Sequence, residues 1–395
     1  MRKITAPQRR ALIGARHLLA PSRRVDSVVE VADAVLALHA TDPATVFLSA
    51  WARMRSPDLR VLTEHLFEDM ERLLCMRRTM FVVSADVAPA VWSSTARTIA
   101  ARERTLLVKY LHEGGGWDEK WLSRAHGAVL DVLAERGQAT AAELSAAVPE
   151  LREKVVVAAG KPYEAVQNVC SRVLRVLAVD GAIRRTAPRG SWTSNQFGWT
   201  LAPPRPPEPP AAEARAELVR RWLERFGPAT LEDIKWWTGW GLGDTRKALH
   251  AAGAEAVIVE TDDPLAGSSD NTVEGFLLAG DSAEVETETW VALLPALDPT
   301  PMGWKHRDWY LPQAHRAALF DSTGNVGPTV WRDGQVIGGW AQRKDGTIGV
   351  RLFGKQPRAV VKAVDIEVER LRTWIGEVRF TPRFRTPLER EIASE

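Results

Sequence analysis

Read for the spacing of its apolar positions, the chain opens with helices and then turns to strands. Residues 5–19 have helical spacing. From Asp26, a fit N-cap, Val28, Val31, Ala32, Val35 and Leu38 fall on one helical face. That run stops at His39. Asp42-Pro43 then starts a helix over 43–54, because Asp caps well and Pro suits the first helical position. Ser56-Pro57-Asp58 restarts a third helix through Phe67, and residues 73–83 run apolar and turn β-branched, as paired strands do. A long helix over 85–112 is stopped by Gly114-Gly115-Gly116. Three helices followed by a hairpin of strands is the order of a winged helix-turn-helix.

The order recurs. A helix over 125–136 ends at Gly137, and Thr140 with Glu143 forms a capping box for a helix through Ala147. A helix over 163–180, with Val166, Val169, Cys170, Val173, Leu174 and Leu177 on one face, stops at Gly181. Short strands over 182–186 and 197–201 then flank a basic turn holding Arg184, Arg185 and Arg189. The proline-rich stretch 203–210 is a stiff linker. Beyond it come helices over 211–226, from Thr230 through Trp237 and over 239–251, then a strand over 254–260. The motif Gly137-Gln138-Ala139-Thr140 with Leu144 is echoed 90 residues later by Gly227-Pro228-Ala229-Thr230 with Ile234. The flanking helix pattern repeats with it, so the units are tandem.

From Thr289 the texture is β-rich, with strands expected over 290–294, 326–331, 336–342 and 347–353. Asp333-Gly334, between Arg332 and Gln335, is a strong hairpin-turn signal, and a helix over 357–374 closes the pattern. The expected fold class is α+β: three tandem winged helix-turn-helix units with a C-terminal small β-barrel. The expected divisions are 1–118, 119–202, the linker 203–210, 211–288 and 289–395.

Composition changes this picture little. With 45% hydrophobic and 26% charged residues the chain has the make-up of a soluble globular protein. No apolar run reaches membrane-spanning length and the start lacks an apolar signal core, so a cytoplasmic, nucleoid-associated location and no membrane partner are expected. Cys75 and Cys170 lie far apart in apolar surroundings and fit buried thiols better than a disulfide or zinc site.

Charge distribution says more than the net value of +2. Segments 1–125, 126–205 and 296–395 carry +5, +3 and +4, whereas 206–295 carries −10, densest over 255–288. A polyanion fits the basic segments provided the acidic block faces away. Three helix-turn-helix units with basic hairpins point to nucleic acid, although the same fold also serves protein interaction.

Four segments, in this order and spacing, resemble the AlkZ-like (YcaQ-like) winged-helix DNA glycosylases: LHATDPATVFLSAWARM from Leu38, MRRTMFVV from Met76, LLPALDPTPMGWKHRDWYL from Leu293 and VGPTVWRDGQVIGGW from Val326. The resemblance covers nearly the whole chain. It implies a basic concave channel for double-stranded DNA, a monomer, and metal-free, cofactor-free hydrolysis of the N-glycosidic bond of bulky alkylated purines, crosslinks included. The second class of function open to such a chain is a non-catalytic DNA-binding regulator or lesion sensor.

The resemblance places catalysis at the elbow, where the family carries Gln, an aliphatic residue, then Gln or Asp. This chain departs from that pattern with His39, Ala40 and Thr41. His39 fits a neutral acceptor and weak base or a turn histidine, Thr41 a water-holding hydroxyl, and Asp42 a catalytic carboxylate or, more simply, the cap of the following helix. Arg77, Arg78 and Thr79 suit phosphate contact or a solvated strand edge. Lys305, His306 and Arg307 suit phosphate contact, and Arg332 and Gln335 at the hairpin tip suit entry into a groove. Asp298 and Trp304 are expected to line the cleft.

Overall fold

The computed structural model describes residues 1–157, 160, 162, 164–261 and 271–395. It opens with β1 (Lys3–Ile4) and α1 (Ala6–Arg16), whose N-cap Thr5 and Gln8 form a reciprocal capping box. Then follow α2 (Val28–Ala34), β2 (Leu38–His39), α3 (Pro43–Trp51), α4 (Leu59–Glu68), β3 (Met70–Cys75) and β4 (Thr79–Ser84). Ser27, Asp42 and Asp58 cap the three helices. The sheet order is β2-β4-β3, with Leu38 opposite Val82 and His39 opposite Phe81.

Helix α2 is therefore shorter than its apolar spacing predicts. It ends at Ala34, Leu36 takes a left-handed φ of 61°, and Leu38 and His39 join a sheet whose other strands lie more than thirty residues on. Long-range pairing overrides local periodicity here.

Short helix α5 (Ala88–Val91) leads through a π-turn into α6 (Arg97–Gly115), which Gly116 terminates at a φ of 71°. The second unit comprises α7 (Glu119–Arg136), β5 (Gln138–Ala139), α8 (Ala141–Ala147), the hairpin β6 (Lys154–Val157) and β7 (Ala165–Asn168), α9 (Val169–Val179), β8 (Ile183–Arg185) and β9 (Trp199–Leu201). Its sheet order, β5-β9-β8, copies the first. Thr140 and Glu143 make the expected capping box. The helix expected from 163 starts only at Val169, because Ala165–Asn168 pairs with Lys154–Val157; Tyr163 itself lies outside the described residues.

The third unit has α10 (Ala211–Phe226), α11 (Leu231–Thr238), α12 (Leu242–Ala251), β10 (Ala254–Glu260) and β11 (Thr272–Leu278). Ala229 bridges Phe276, so a first strand again lies on the third. Ala139 and Ala229 thus occupy equivalent places, and the 90-residue echo marks the same strand-to-cap junction twice. β1 adds to this sheet, parallel to β10, which places the N-terminal residues against the third unit.

Residues 289–395 hold β12 (Val291–Leu294), α13 (Arg316–Leu319), β13 (Thr329–Arg332), β14 (Gln335–Gln342), β15 (Ile348–Leu352), α14 (Arg358–Ile375) and α15 (Pro387–Ser394). The expected small barrel is instead an open meander of order β12-β13-β14-β15; among the described residues β12 and β15 do not pair. Helix α14 packs on β12 and α15 on β14 and β15, so helices cover the sheet without closure. Asp333 and Gly334 form the expected two-residue turn, with φ of 48° and 82°.

One core runs through the first unit, the third unit and the C-terminal sheet, while the second unit has its own. Trp192, from the β8–β9 loop, crosses between them and packs on Phe47, Trp374 and Phe380. Cys75 and Cys170 are buried free thiols, and burial pushes Cys75 up to about 12. Among the described residues no helix is long and apolar enough to cross a membrane.

A candidate active site at the first strand–helix elbow

In the second and third units the helix cap, Thr140 or Thr230, directly follows the strand residue Ala139 or Ala229. In the first unit Ala40 and Thr41 intervene between His39, the last strand residue, and the cap Asp42. The elbow is this two-residue excess. Main-chain bonds hold it: Ala40 N donates to the Met80 carbonyl at 2.8 Å. Arg72 Nη1 donates to the Ala40 carbonyl at 3.2 Å and Arg383 Nη1 to the Thr41 carbonyl at 3.3 Å.

His39 is 5% exposed, its ring edge-on to Phe81 at 5.2 Å, and its Nδ1 is buried without a hydrogen-bond partner. Burial first, and then the charge of Arg77, pushes its pKa down to about 3. The ring is a neutral imidazole at physiological pH. A buried ring nitrogen without a partner costs roughly 1–3 kcal/mol, and His126 Nε2 is in the same state.

Thr41 is half-buried beside it. Asp42 has both oxygens engaged: Oδ1 accepts from Ala44 N at 3.1 Å, and Oδ2 accepts from Arg383 N at 2.8 Å. Its cap reading is the one the geometry displays. Arg383 lies on a strap, residues 376–386, that leaves α14 and is held by Gln342: Phe380 N donates to its Oε1 at 2.9 Å, and its Nε2 donates to the Val378 carbonyl at 3.0 Å.

The remaining expected site residues divide. Arg77 and Arg78 form a tight left-handed turn (φ 55° and 58°) in place of an open wing. Arg77 stacks on Trp236 at 3.9 Å and burial pushes it down to about 10, whereas Arg78 pairs with Glu103. Thr79 sits in the ladder opposite Cys75. Lys305 pairs with Glu232 at 3.1 Å, and the backbone N–H groups of Lys305 and His306 both donate to Asp233. Arg307 is buried between Trp236 and Phe320, at 4.9 and 5.0 Å.

Arg332 pairs with Asp333, and the hairpin tip is packed rather than projecting: Asp333 Oδ1 accepts from Trp290 N at 2.8 Å, and a side chain at Gly334 would overlap the Arg10 carbonyl. Arg332 and Gln335 line a cavity of about 660 Å³ with Arg10, His315 and Glu286.

Asp298 and Trp304 do not line a cleft. Asp298 is fully buried and takes a two-pronged ion pair from Arg53 at 2.7 and 2.9 Å, with Ser49 Oγ at 2.7 Å. Trp304 lies in an aromatic core with His17, Phe226, Trp309 and Tyr310, its Nε1 donating to the Phe226 carbonyl. A Pro-rich segment suggests a loop at the surface; the Arg53 partner, far off in sequence, draws it inside.

Sequence reasoning named Arg185 only as part of a basic turn and did not single out Arg72 or Arg383; the three are scattered over more than three hundred positions. Among the described residues no group of three or more His, Cys, Asp or Glu is placed to hold a metal ion.

A neutral imidazole held among guanidiniums, on a frame of three repeated units, fits the class of enzymes that act on DNA. A family model of DNA glycosylase AlkZ-like proteins matches residues 32–374, and the chain belongs to that family. It is accordingly a DNA N-glycosylase, with DNA as its partner. The interstrand DNA cross-link repair glycosylase of Streptomyces sahachiroi is 27% identical over 288 residues, covering 68% of this chain and 73% of that protein. The structure of Streptomyces sahachiroi DNA glycosylase AlkZ matches with a TM-score of 0.69 at 21% identity, covering 96% of this chain and 99% of that one, which shows a shared fold. The match to the family begins before the elbow and ends before the strap.

Proposed function

We propose that this protein hydrolyses the N-glycosidic bond of bulky alkylated purines in double-stranded DNA, from the elbow His39-Ala40-Thr41. In this reading the three repeated units are winged helices dividing the chain near 118, 202 and 288, and the protein works as a monomer, cytoplasmic and nucleoid-associated. The observation that carries it is the buried, partnerless Nδ1 of His39 on the one strand–helix junction that has extra residues.

Purines alkylated at N7 or N3 carry a positive charge and leave as neutral bases. The barrier lies in the oxocarbenium-like sugar and in placing a water beside it. A histidine held near pKa 3 is too weak a base to take a proton before attack. It can accept a hydrogen bond from the attacking water and face the developing cation without bringing a charge of its own. Thr41 supplies a hydroxyl two residues on, and Asp42 keeps the elbow at the start of α3.

The crosslink-repair name of the Streptomyces relative extends the candidate substrates to crosslinked purines. The test is incubation with a duplex carrying N7-alkylguanine, followed by scission at abasic sites. Abasic product supports the reading. Tight binding without product would overturn alkylated purines as the substrate.

A further inference from the structure

Two successive carbonyls of the elbow each carry a guanidinium: Ala40 that of Arg72 at 3.2 Å, Thr41 that of Arg383 at 3.3 Å. A third, Arg185 on β8, lies over Phe197 and Trp199 at 4.2 and 5.6 Å. Its strand neighbour Arg184 donates through Nη1 to the Phe67 carbonyl at 3.0 Å, and Arg72 lies over the Phe67 ring at 5.4 Å, which brings β8 beside Arg72. The charge of Arg185 acts on Arg72, and those of Arg175 and then Arg383 act on Arg185. The three come from the first unit, the second unit and the strap.

The arginines around them are paired. Arg184, Arg205 and Arg385 each hold a glutamate, and Arg175 shares Glu103 with Arg78. Among the described residues Arg72, Arg185 and Arg383 form no ion pair. Arg383 is exposed, and Arg72 and Arg185 are half-buried. Burial, and then Arg185, pushes Arg72 down to about 9; it and Arg185 remain protonated at neutral pH. Three like charges gathered without a counter-ion raise the energy of the free protein, and an anion would relieve it. Each guanidinium has five N–H donors, enough to hold a main-chain carbonyl and a phosphate together.

We propose that Arg72, Arg185 and Arg383 clamp a phosphodiester of the DNA backbone at the elbow. Arg72 and Arg383, bonded to the elbow carbonyls, thereby fix His39 and Thr41 against the neighbouring sugar. The positioning half of this proposal rests on the elbow being the active site; the phosphate half does not. Arg383 lies beyond the residues matched by the family, so the clamp is completed by the strap.

The experiment uses the full chain and a fluorescent duplex with a single N7-methylguanine, measuring affinity across a salt series and single-turnover excision with enzyme in excess. Arg72→Gln, Arg185→Gln and Arg383→Gln should each weaken binding and reduce the slope of log affinity against log salt by about one. Lys362→Ala, on the exposed face of α14, should change neither. Arg72→Gln and Arg383→Gln should also slow excision at saturating enzyme by tenfold or more, and Arg383→Lys should restore the salt slope. Thermal melting checks folding, and the exposed Arg383 keeps the test open if Arg72→Gln fails to fold. Unchanged slopes in the folded variants would overturn the clamp, whatever the wild type excises. Reduced slopes with an unaltered saturating rate would overturn the positioning role and keep the phosphate site. Reduced slopes on a wild-type protein that excises nothing would remove the elbow as active site and leave the phosphate site standing.

Discussion

At the scale of the residue, the chemistry turns on keeping His39 neutral. Burial and Arg77 hold it near pKa 3, so excision should follow a pH profile with no inflection near 6.5, down to the pH at which the protein unfolds. A profile falling with an apparent pKa near 6.5 would contradict the buried-imidazole account. Stability behaves differently. His39 is joined by His126, which burial and Arg104 push down to about 4, and by His17, which burial and Arg53 push well below its usual value. The unfolded chain binds these protons near pH 6.5. The stabilising contribution is therefore complete above about 6.5 and is lost as pH falls below it, down to about 4 for His126 and about 3 for His39. Denaturant midpoints should drop across that window, and His126→Gln should flatten the drop.

At the scale of the element, the buried ion pair between Arg53, just past the end of α3, and Asp298, in the loop after β12, ties the α3 end to the C-terminal sheet. Removing one partner strands a charge, so Arg53→Ala or Asp298→Ala should cost about 3–5 kcal/mol in denaturant unfolding. The double change Arg53→Met with Asp298→Leu should cost far less; an equal loss would mean that packing rather than charge dominates there. The aromatic excess also has a place at this scale. The chain has sixteen tryptophans against three tyrosines. In the fold, tryptophans serve as platforms for arginines, with Arg9 on Trp309, Arg77 on Trp236, Arg205 on Trp92 and Arg370 on Trp51.

What was legible in the sequence was local. The capping box at Thr140, the helix start at Thr230 and the Asp333-Gly334 turn depend on residues within a few positions of one another, and they stand where the pattern put them. Leu38–His39 did not read as a strand, because two residues carry no period and their partner Phe81 is distant. The Ala165–Asn168 strand and α15 were lost in the same way. Position within the fold was the harder matter. His39 was legible through resemblance, yet Asp298 and Trp304 were misread as surface because their partners, Arg53 and Phe226, cannot be paired from one sequence.

At the scale of the whole molecule, three carboxylates of the acidic block are held by the N-terminal residues. Lys3 pairs with Glu260 at 3.0 Å, Arg16 with Asp281 at 2.8 Å, and Ser22 N donates to Glu288 at 2.9 Å. Asp262, Asp263 and Asp270 lie outside the described residues. The charge that would repel DNA is thus partly spent where β1 joins the third unit, while the elbow's arginines stay unpaired. The most direct measurement is the single-turnover excision rate of His39→Ala, at saturating enzyme, beside its affinity for the same N7-methylguanine duplex. The account predicts a rate lower by tenfold or more with affinity unchanged within about twofold. An unchanged rate in a folded variant would take His39, and the elbow with it, out of the mechanism.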